Sequence, residues 1–370
     1  MHIPTAPHSY FRVRNTESQL RLFLDDHSYI PEFKYSKKYD TLFVKEAFAL
    51  SGPAEPIAGD TLRENKLALI LKSIELQSVE SGIHNQVAEA FRRLNETIYG
   101  EPELAYANAI LGRAKLKVTG DTIAHWDYID ARLNVESEVV NIWPEDAFFS
   151  TIRKFARSYM QHMSPLSADK TFAQVLQDTL DSAGLIHQGW QIVTVRGGSP
   201  VRINHYKKTI RMGRTFTVRR RKSIRRLAAH EVYGHAVRGG NLNLEDSEGF
   251  AVLLEQTLDR TFKPRRTCRY LAASIAWGVY GEPLDFIQTF EILWRYIVII
   301  KDLSELESKT IAFRECARTF RGGRPDIAGS IFLRDSVYFK ANIKVWRRLQ
   351  DTNIGYNEFM DIAKGKELLV

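Results

Sequence analysis

Sulfur is scarce in this sequence: 370 residues carry two cysteines, Cys268 and Cys316. That excludes a disulfide framework and leaves too few thiolates for a finger-type zinc site. Two unpaired thiols in so long a chain suit a reducing compartment. Long apolar runs are missing too. The longest, Tyr270 to Tyr280, is too short to span a bilayer and reads as a buried helix. The opening MHIPTAPHSYFRVRN lacks the apolar core of a secretory leader. The tetrapeptide YGEP occurs at Tyr99 and again at Tyr280, but nothing around either copy repeats, so no internal duplication is expected. No RRM, zinc-finger or helix-turn-helix signature occurs. These absences lead to the expectation of a soluble cytoplasmic protein with no membrane partner.

What is present is ordinary for a globular chain: 44% hydrophobic and 26% charged residues, enough to bury a core without staples. The net charge of +8 suits an acidic partner or substrate, and equally a solvated basic surface. Residues 1–60 look irregular, with aromatics around Pro31, and are expected to pack on a catalytic domain spanning residues 61–370. From Thr61 the pattern is helical: Leu67, Ile70, Leu71 and Ile74 recur at helical steps, then Val87, Phe91 and Leu94. Further helices are expected over 146–163 and 169–183, the second closed by Gly184. The texture then changes. Short β-branched runs at 191–195, 201–206, 209–212 and 215–218 are separated by turn-forming pairs and by Gly197-Gly198-Ser199-Pro200. They predict a small antiparallel sheet of hairpins. Helices return after Ser223, so the fold class is α+β, mainly α, with the small sheet next to the helix that carries the candidate site.

The chemistry concentrates in AAHEVYGHAVRGGNLNLEDSEGFAVLLEQ, from Ala228 to Gln256. A zinc hydrolase needs two imidazoles, a third protein ligand, an open position for water and a carboxylate to take the water's proton. His230 and His235 supply the imidazoles and Glu231 the carboxylate. Their spacing is unusual. On an α-helix four residues advance about 40° around the axis and five about 140°, so residues i and i+5 do not share a face. Two remedies exist: a π-type turn, which returns residue i+5 above residue i, or a distortion at Gly234, whose backbone tolerates unusual dihedrals. Gly239-Gly240 can end this helix, and a second is expected to begin near Ser247 as N-cap. Glu248 in its first turn is the leading third ligand. Glu245, Asp246 and Glu255 compete, with Glu255 placed to support a ligand from behind. A buried histidine pair beside a solvated glutamate is the bland alternative.

HExxxH followed by a glutamate in Ser247-Glu248-Gly249-Phe250-Ala251 resembles the tyrosine carboxypeptidase family, whose best-known members remove the C-terminal tyrosine of tubulin. The likeness extends to Ile98-Tyr99-Gly100-Glu101-Pro102, to Phe320-Arg321-Gly322-Gly323, to Arg334-Asp335-Ser336-Val337-Tyr338 and to Pro31-Glu32-Phe33-Lys34-Tyr35. It departs in a shorter loop before the glutamate, in DSEGFA where the family has TEEGLA, and in Phe339-Lys340-Ala341 after Tyr338. The resemblance implies a zinc metallocarboxypeptidase fold. It also implies zinc as cofactor on His230, His235 and Glu248, with Glu231 as catalytic base. The implied substrate is a peptide or protein C-terminus ending in an aromatic residue. Recognition of a free carboxylate suits arginine, and Arg321, Arg211 and Arg214 are candidates, the latter two on the last hairpin. Tyr233 and Tyr338 are candidate donors to a developing oxyanion. The run Arg219-Arg220-Arg221-Lys222-Ser223-Ile224-Arg225-Arg226 could draw in an acidic peptide or a nucleic acid, or pair within the protein. A nucleic-acid module and a non-catalytic peptide binder are the rival classes.

Overall fold

The computed structural model describes residues 92, 95, 96, 99–135, 142, 143, 145–163, 170–197, 201–216, 221–239, 244–259, 264–320, 327–351 and 353–364. The boundary expected after residue 60 and the helical pattern of residues 61–90 lie outside them, as do Arg219, Arg220 and Arg321. Two compact units emerge, Met1–Asn141 with Arg266–Ser336, and Ile142–Arg265 with Val337–Val370. Among the described residues the chain is mainly helical with one three-stranded sheet. No described helix is long and apolar enough to cross a membrane.

The first unit holds α1 (Leu104–Lys115) and α2 (Ile123–Leu133), which belong to its N-terminal portion. It also holds α7 (Thr267–Trp277), α8 (Phe286–Lys301) and α9 (Glu305–Thr319). The apolar run from Tyr270 is indeed a buried helix: every residue of α7 from Arg269 to Trp277 is buried. Gly278 stops it at φ 94°, where a Cβ would also strike the Gly281 carbonyl oxygen and the Pro283 nitrogen at 2.7 Å. Asp285 starts α8 through a capping box with Gln288.

The second unit carries α3 (Asp146–Tyr159), α4 (Phe172–Ser182), the sheet, α5 (Arg221–Ala229), α6 (Leu244–Asp259) and α11 (Tyr356–Ala363). Most of α10 (Arg334–Asp351) belongs here as well. α3 buries Phe149, Ile152 and Ala156, a stripe at three- and four-residue steps. Phe149 meets the fully buried Trp346 of α10 edge-on at 5.1 Å. Thr171 and Gln174 cap α4 reciprocally, and Gly184, at φ 69°, follows its end.

The sheet departs from expectation. β1 (Gln191–Val195), β2 (Arg202–Asn204) and β3 (Thr209–Gly213) lie in the order β1-β3-β2. β2 and β3 form the expected hairpin, with Ile203 opposite Ile210, but β1 pairs with β3 in parallel. The loop after β1 therefore leaves a gap one strand wide, which β3 fills. The sheet is mixed rather than antiparallel. Of the fourth run expected at 215–218, Thr215 and Phe216 lie outside the sheet, and residues 217 and 218 lie outside the described residues.

Candidate metal centre

α5 passes without a break into a π-helix, His230–Ala236. The Val237 amide donates five residues back to the Val232 carbonyl at 2.9 Å. One extra residue per turn brings His235 above His230, as the five-residue spacing requires if both serve one ion. Gly234 acts differently from the sequence reading. It has no positive φ. A Cβ there would lie 2.4 Å from the Ala251 Cβ of α6, so the glycine is needed for close approach of the next helix. Gly249 does the same on the other flank of α6, where a Cβ would meet the Ala341 carbonyl oxygen of α10 at 2.4 Å. Farther along, Gln256 and Asn342 exchange two buried amide hydrogen bonds of 2.8 and 3.2 Å. α6 is thus clamped between the π segment and α10, and Glu248 sits in the clamped stretch.

Three donor atoms converge there. His230 Nε2 and His235 Nε2 are 3.2 Å apart, and Glu248 Oε2 lies 3.3 Å from the first and 3.6 Å from the second. Ligand bonds of about 2.0–2.1 Å arranged tetrahedrally around zinc give ligand–ligand edges of about 3.3–3.4 Å. The triangle therefore has the dimensions of one face of a zinc tetrahedron. Glu248 Oε2 is buried and makes no aligned hydrogen bond, a costly state for a carboxylate oxygen that a cation would relieve. Among the described residues, His230, His235 and Glu248 are the group whose donor atoms come together.

The supporting residues fix which nitrogen each imidazole presents. His235 Nδ1 lies 2.6 Å from Ser247 Oγ, and His230 Nδ1 lies 2.8 Å from Glu255 Oε1, close although not ideally aligned. With protons on both Nδ1 atoms, both Nε2 lone pairs face the triangle. Behind Glu255 stands Arg226, with its Nε 3.3 Å away, and Arg226 also holds Asp259 at 2.7 Å. Asp259 in turn contacts Arg265.

The electrostatics follow from this packing. Burial alone would lower the His230 pKa, but Glu248 and Glu255 raise it well above the ordinary imidazole value. Burial would raise the Glu248 pKa, yet His235 and His230 hold it well below the carboxylate range. Glu255 is likewise lowered against burial by His230, Arg226 and Arg265. Glu231 behaves oppositely. Burial raises its pKa and the two histidines only partly offset this, so it is the carboxylate of the group readiest to hold a proton.

Several expectations need correction. α6 begins at Leu244, so Ser247 is no N-cap but lies within the first turn, and Glu248 one residue farther on. Glu245 is drawn away by Lys340 at 3.2 Å and Lys344 at 2.7 Å, and Asp246 faces Arg348 at 3.7 Å, so neither competes as a ligand. Arg211 is exposed on β3, the central strand, and not on an edge strand where an extended peptide could add. Arg214 is exposed just beyond β3. Tyr233 is buried against Tyr159, ring centroids 5.3 Å apart, which is a core position. Tyr338, expected as a substrate-binding residue and not as a ligand, is half-buried on α10. His205, which the sequence reading did not single out, follows β2 and is half-buried outside the donor triangle.

No family model, curated protein or solved structure matches this chain.

Proposed function

We propose that this chain is a zinc-dependent metallopeptidase, acting as a carboxypeptidase that releases a C-terminal tyrosine or phenylalanine from a peptide or protein. One observation carries the reading: the donor triangle of His230, His235 and Glu248, with edges of 3.2, 3.3 and 3.6 Å, beside a second carboxylate, Glu231, that is not part of it. A zinc ion held there would polarise a carbonyl and make water acidic enough to ionise near neutral pH. Glu231 supplies the base. It adjoins His230, is half-buried and tends to hold a proton, so it takes the proton from the attacking water and passes it to the leaving amine.

The choice of the C-terminal residue rests on the family resemblance of the motif and its turn. The rival nucleic-acid reading draws little support from the basic run. Arg226 is engaged by Glu255 and Asp259, and Arg225 donates to the Met163 carbonyl oxygen at 3.2 Å. Both guanidinium groups serve the fold behind the metal corner.

Glu231→Gln keeps the side-chain shape and removes the base. The variant is expected to keep one zinc per chain and lose about 10²–10⁴ in turnover. The assay is mass spectrometry of peptides ending in Tyr or Phe as free acids, beside the same peptides amidated. Release from the free acids alone supports the carboxypeptidase. Equal cleavage of the amidated set turns the assignment to another peptidase class on the same metal. Undiminished turnover by Glu231→Gln removes the mechanism.

A further inference from the structure

β2 packs against the π segment, and His205 is the first residue beyond it. Its ring is braced edge-on by the buried Trp190, centroids 5.5 Å apart and planes at 87°. The side chain is half-buried, yet Nδ1 is shut off from solvent and has no hydrogen-bond partner. Burial lowers its pKa. His205 is outside the donor triangle, whose atoms lie within 4.8 Å of one another.

The sealed nitrogen settles the tautomer. An orphaned N–H is rarer and costlier in a protein interior than an orphaned acceptor. Nδ1 is therefore the bare nitrogen and the proton resides on Nε2. An imidazole with Nε2–H as its usable group is a hydrogen-bond donor, and Trp190 holds its ring in place. Among the described residues no hydrogen bond uses that donor. Peptide hydrolysis does need one, because Tyr233 is committed to the core.

We propose that His205 is a catalytic residue of this site, donating from Nε2–H to the carbonyl oxygen that becomes anionic during hydrolysis; this rests on the peptidase reading. In that step the water oxygen bonds to the carbonyl carbon and the C=O π pair moves onto oxygen, where His205 meets it. Glu231 holds the proton removed from water. The C–N bond then breaks, its electron pair leaves with nitrogen, and the proton on Glu231 follows it. His205 stabilises the charge without giving up its proton.

The test uses zinc-loaded full-length protein and acetohydroxamate, an anionic zinc-directed probe, alongside peptide turnover. His205→Ala is expected to keep the parent zinc content, bind acetohydroxamate about 10–100-fold more weakly, and lose a similar factor in kcat with KM little changed. His205→Gln, which restores an N–H donor, should recover part of both. His205→Phe, which keeps the ring against Trp190 without a donor, should match Ala, and it serves if Ala fails to fold. Unaltered acetohydroxamate affinity in Ala and Phe overturns the role of His205 alone. His205-dependent affinity in a parent that cleaves no peptide supports the donor and overturns the peptidase reading. A parent that holds no zinc overturns both.

Discussion

Two places in this molecule gather charge away from water, and they do it in opposite ways. In the first unit, Arg269 is buried between Glu315 at 2.7 Å and Asp335 at 3.0 Å, and Asp335 is flanked by Arg266 at 3.5 Å and Arg318 at 3.6 Å. The cations there are part of the chain, and anion and cation are folded together. In the second unit, two imidazole nitrogens and a carboxylate oxygen converge, and no described lysine or arginine is among them. The flanking cation, Arg226, reaches Glu255 and stops one residue short of the triangle. A closed ion cluster holds a fold together. A cluster that converges donors and omits the cation describes a ligand the chain does not supply.

The largest effects should separate the two. Arg269→Met removes the buried cation between Glu315 and Asp335 and is expected to cost about 3–5 kcal/mol of stability while zinc content stays at one per chain. Glu248→Gln should do the reverse. Zinc content falls toward zero, and metal-free stability changes by much less than in Arg269→Met. Parent protein should gain stability as zinc is added, because an ion that binds only the folded state shifts the equilibrium toward it. Denaturant titrations with chelator and with zinc, plus elemental analysis, read all of this. If Glu248→Gln keeps its zinc, or loses as much metal-free stability as Arg269→Met, the two clusters are of one kind and the comparison collapses.

A middle-sized effect tests how far the open cluster extends. Glu255 contacts His230 from behind the triangle, so Glu255→Gln is expected to weaken zinc about 10–100-fold without abolishing binding. Competition against a chelator of known affinity measures it. Parent-like affinity would confine the site to its three donors and make the Glu255–Arg226–Asp259 chain a part of the packing only.

The sequence carried the open cluster more plainly than the closed one. His230 and His235 are five apart, and if both serve one ion that spacing leaves two local solutions, a π-type turn or a distortion at Gly234, of which the chain takes the first. Helical stripes such as Phe149, Ile152 and Ala156 were legible for the same reason: the period is local. What failed was set by partners distant in sequence. Residues 244–246 look like polar loop, but Glu245 and Asp246 find Lys340, Lys344 and Arg348 on α10, which lets α6 begin at Leu244. β1 pairs with β3 and not with its neighbour in sequence, a choice that no hairpin signal encodes. Gly234 reads as a hinge in isolation and is a contact point once Ala251 is opposite it. The Arg269 cluster draws on residues of three separate segments and left no pattern at all.

The smallest effect sharpens the boundary between the two kinds of cluster, because it asks whether a neutral hydroxyl belongs to the site or to the helix. As an N-cap, Ser247 would protect a helix start, and Ser247→Ala would cost about 1 kcal/mol of stability with zinc affinity untouched. The structure instead puts its Oγ 2.6 Å from His235 Nδ1, inside a helix that has already begun. There alanine is the better helix former by a few tenths of a kcal/mol, so metal-free stability should hold or rise slightly. The lost hydrogen bond should appear in the metal instead. A neutral contact worth about 0.5–1.5 kcal/mol corresponds to roughly a 2–12-fold loss of zinc affinity, below that of Glu255→Gln because no charge is involved. Ser247→Thr keeps the hydroxyl and should stay near the parent. A stability loss with unchanged affinity would return Ser247 to the role of a cap and leave His235 oriented by the π-helix alone.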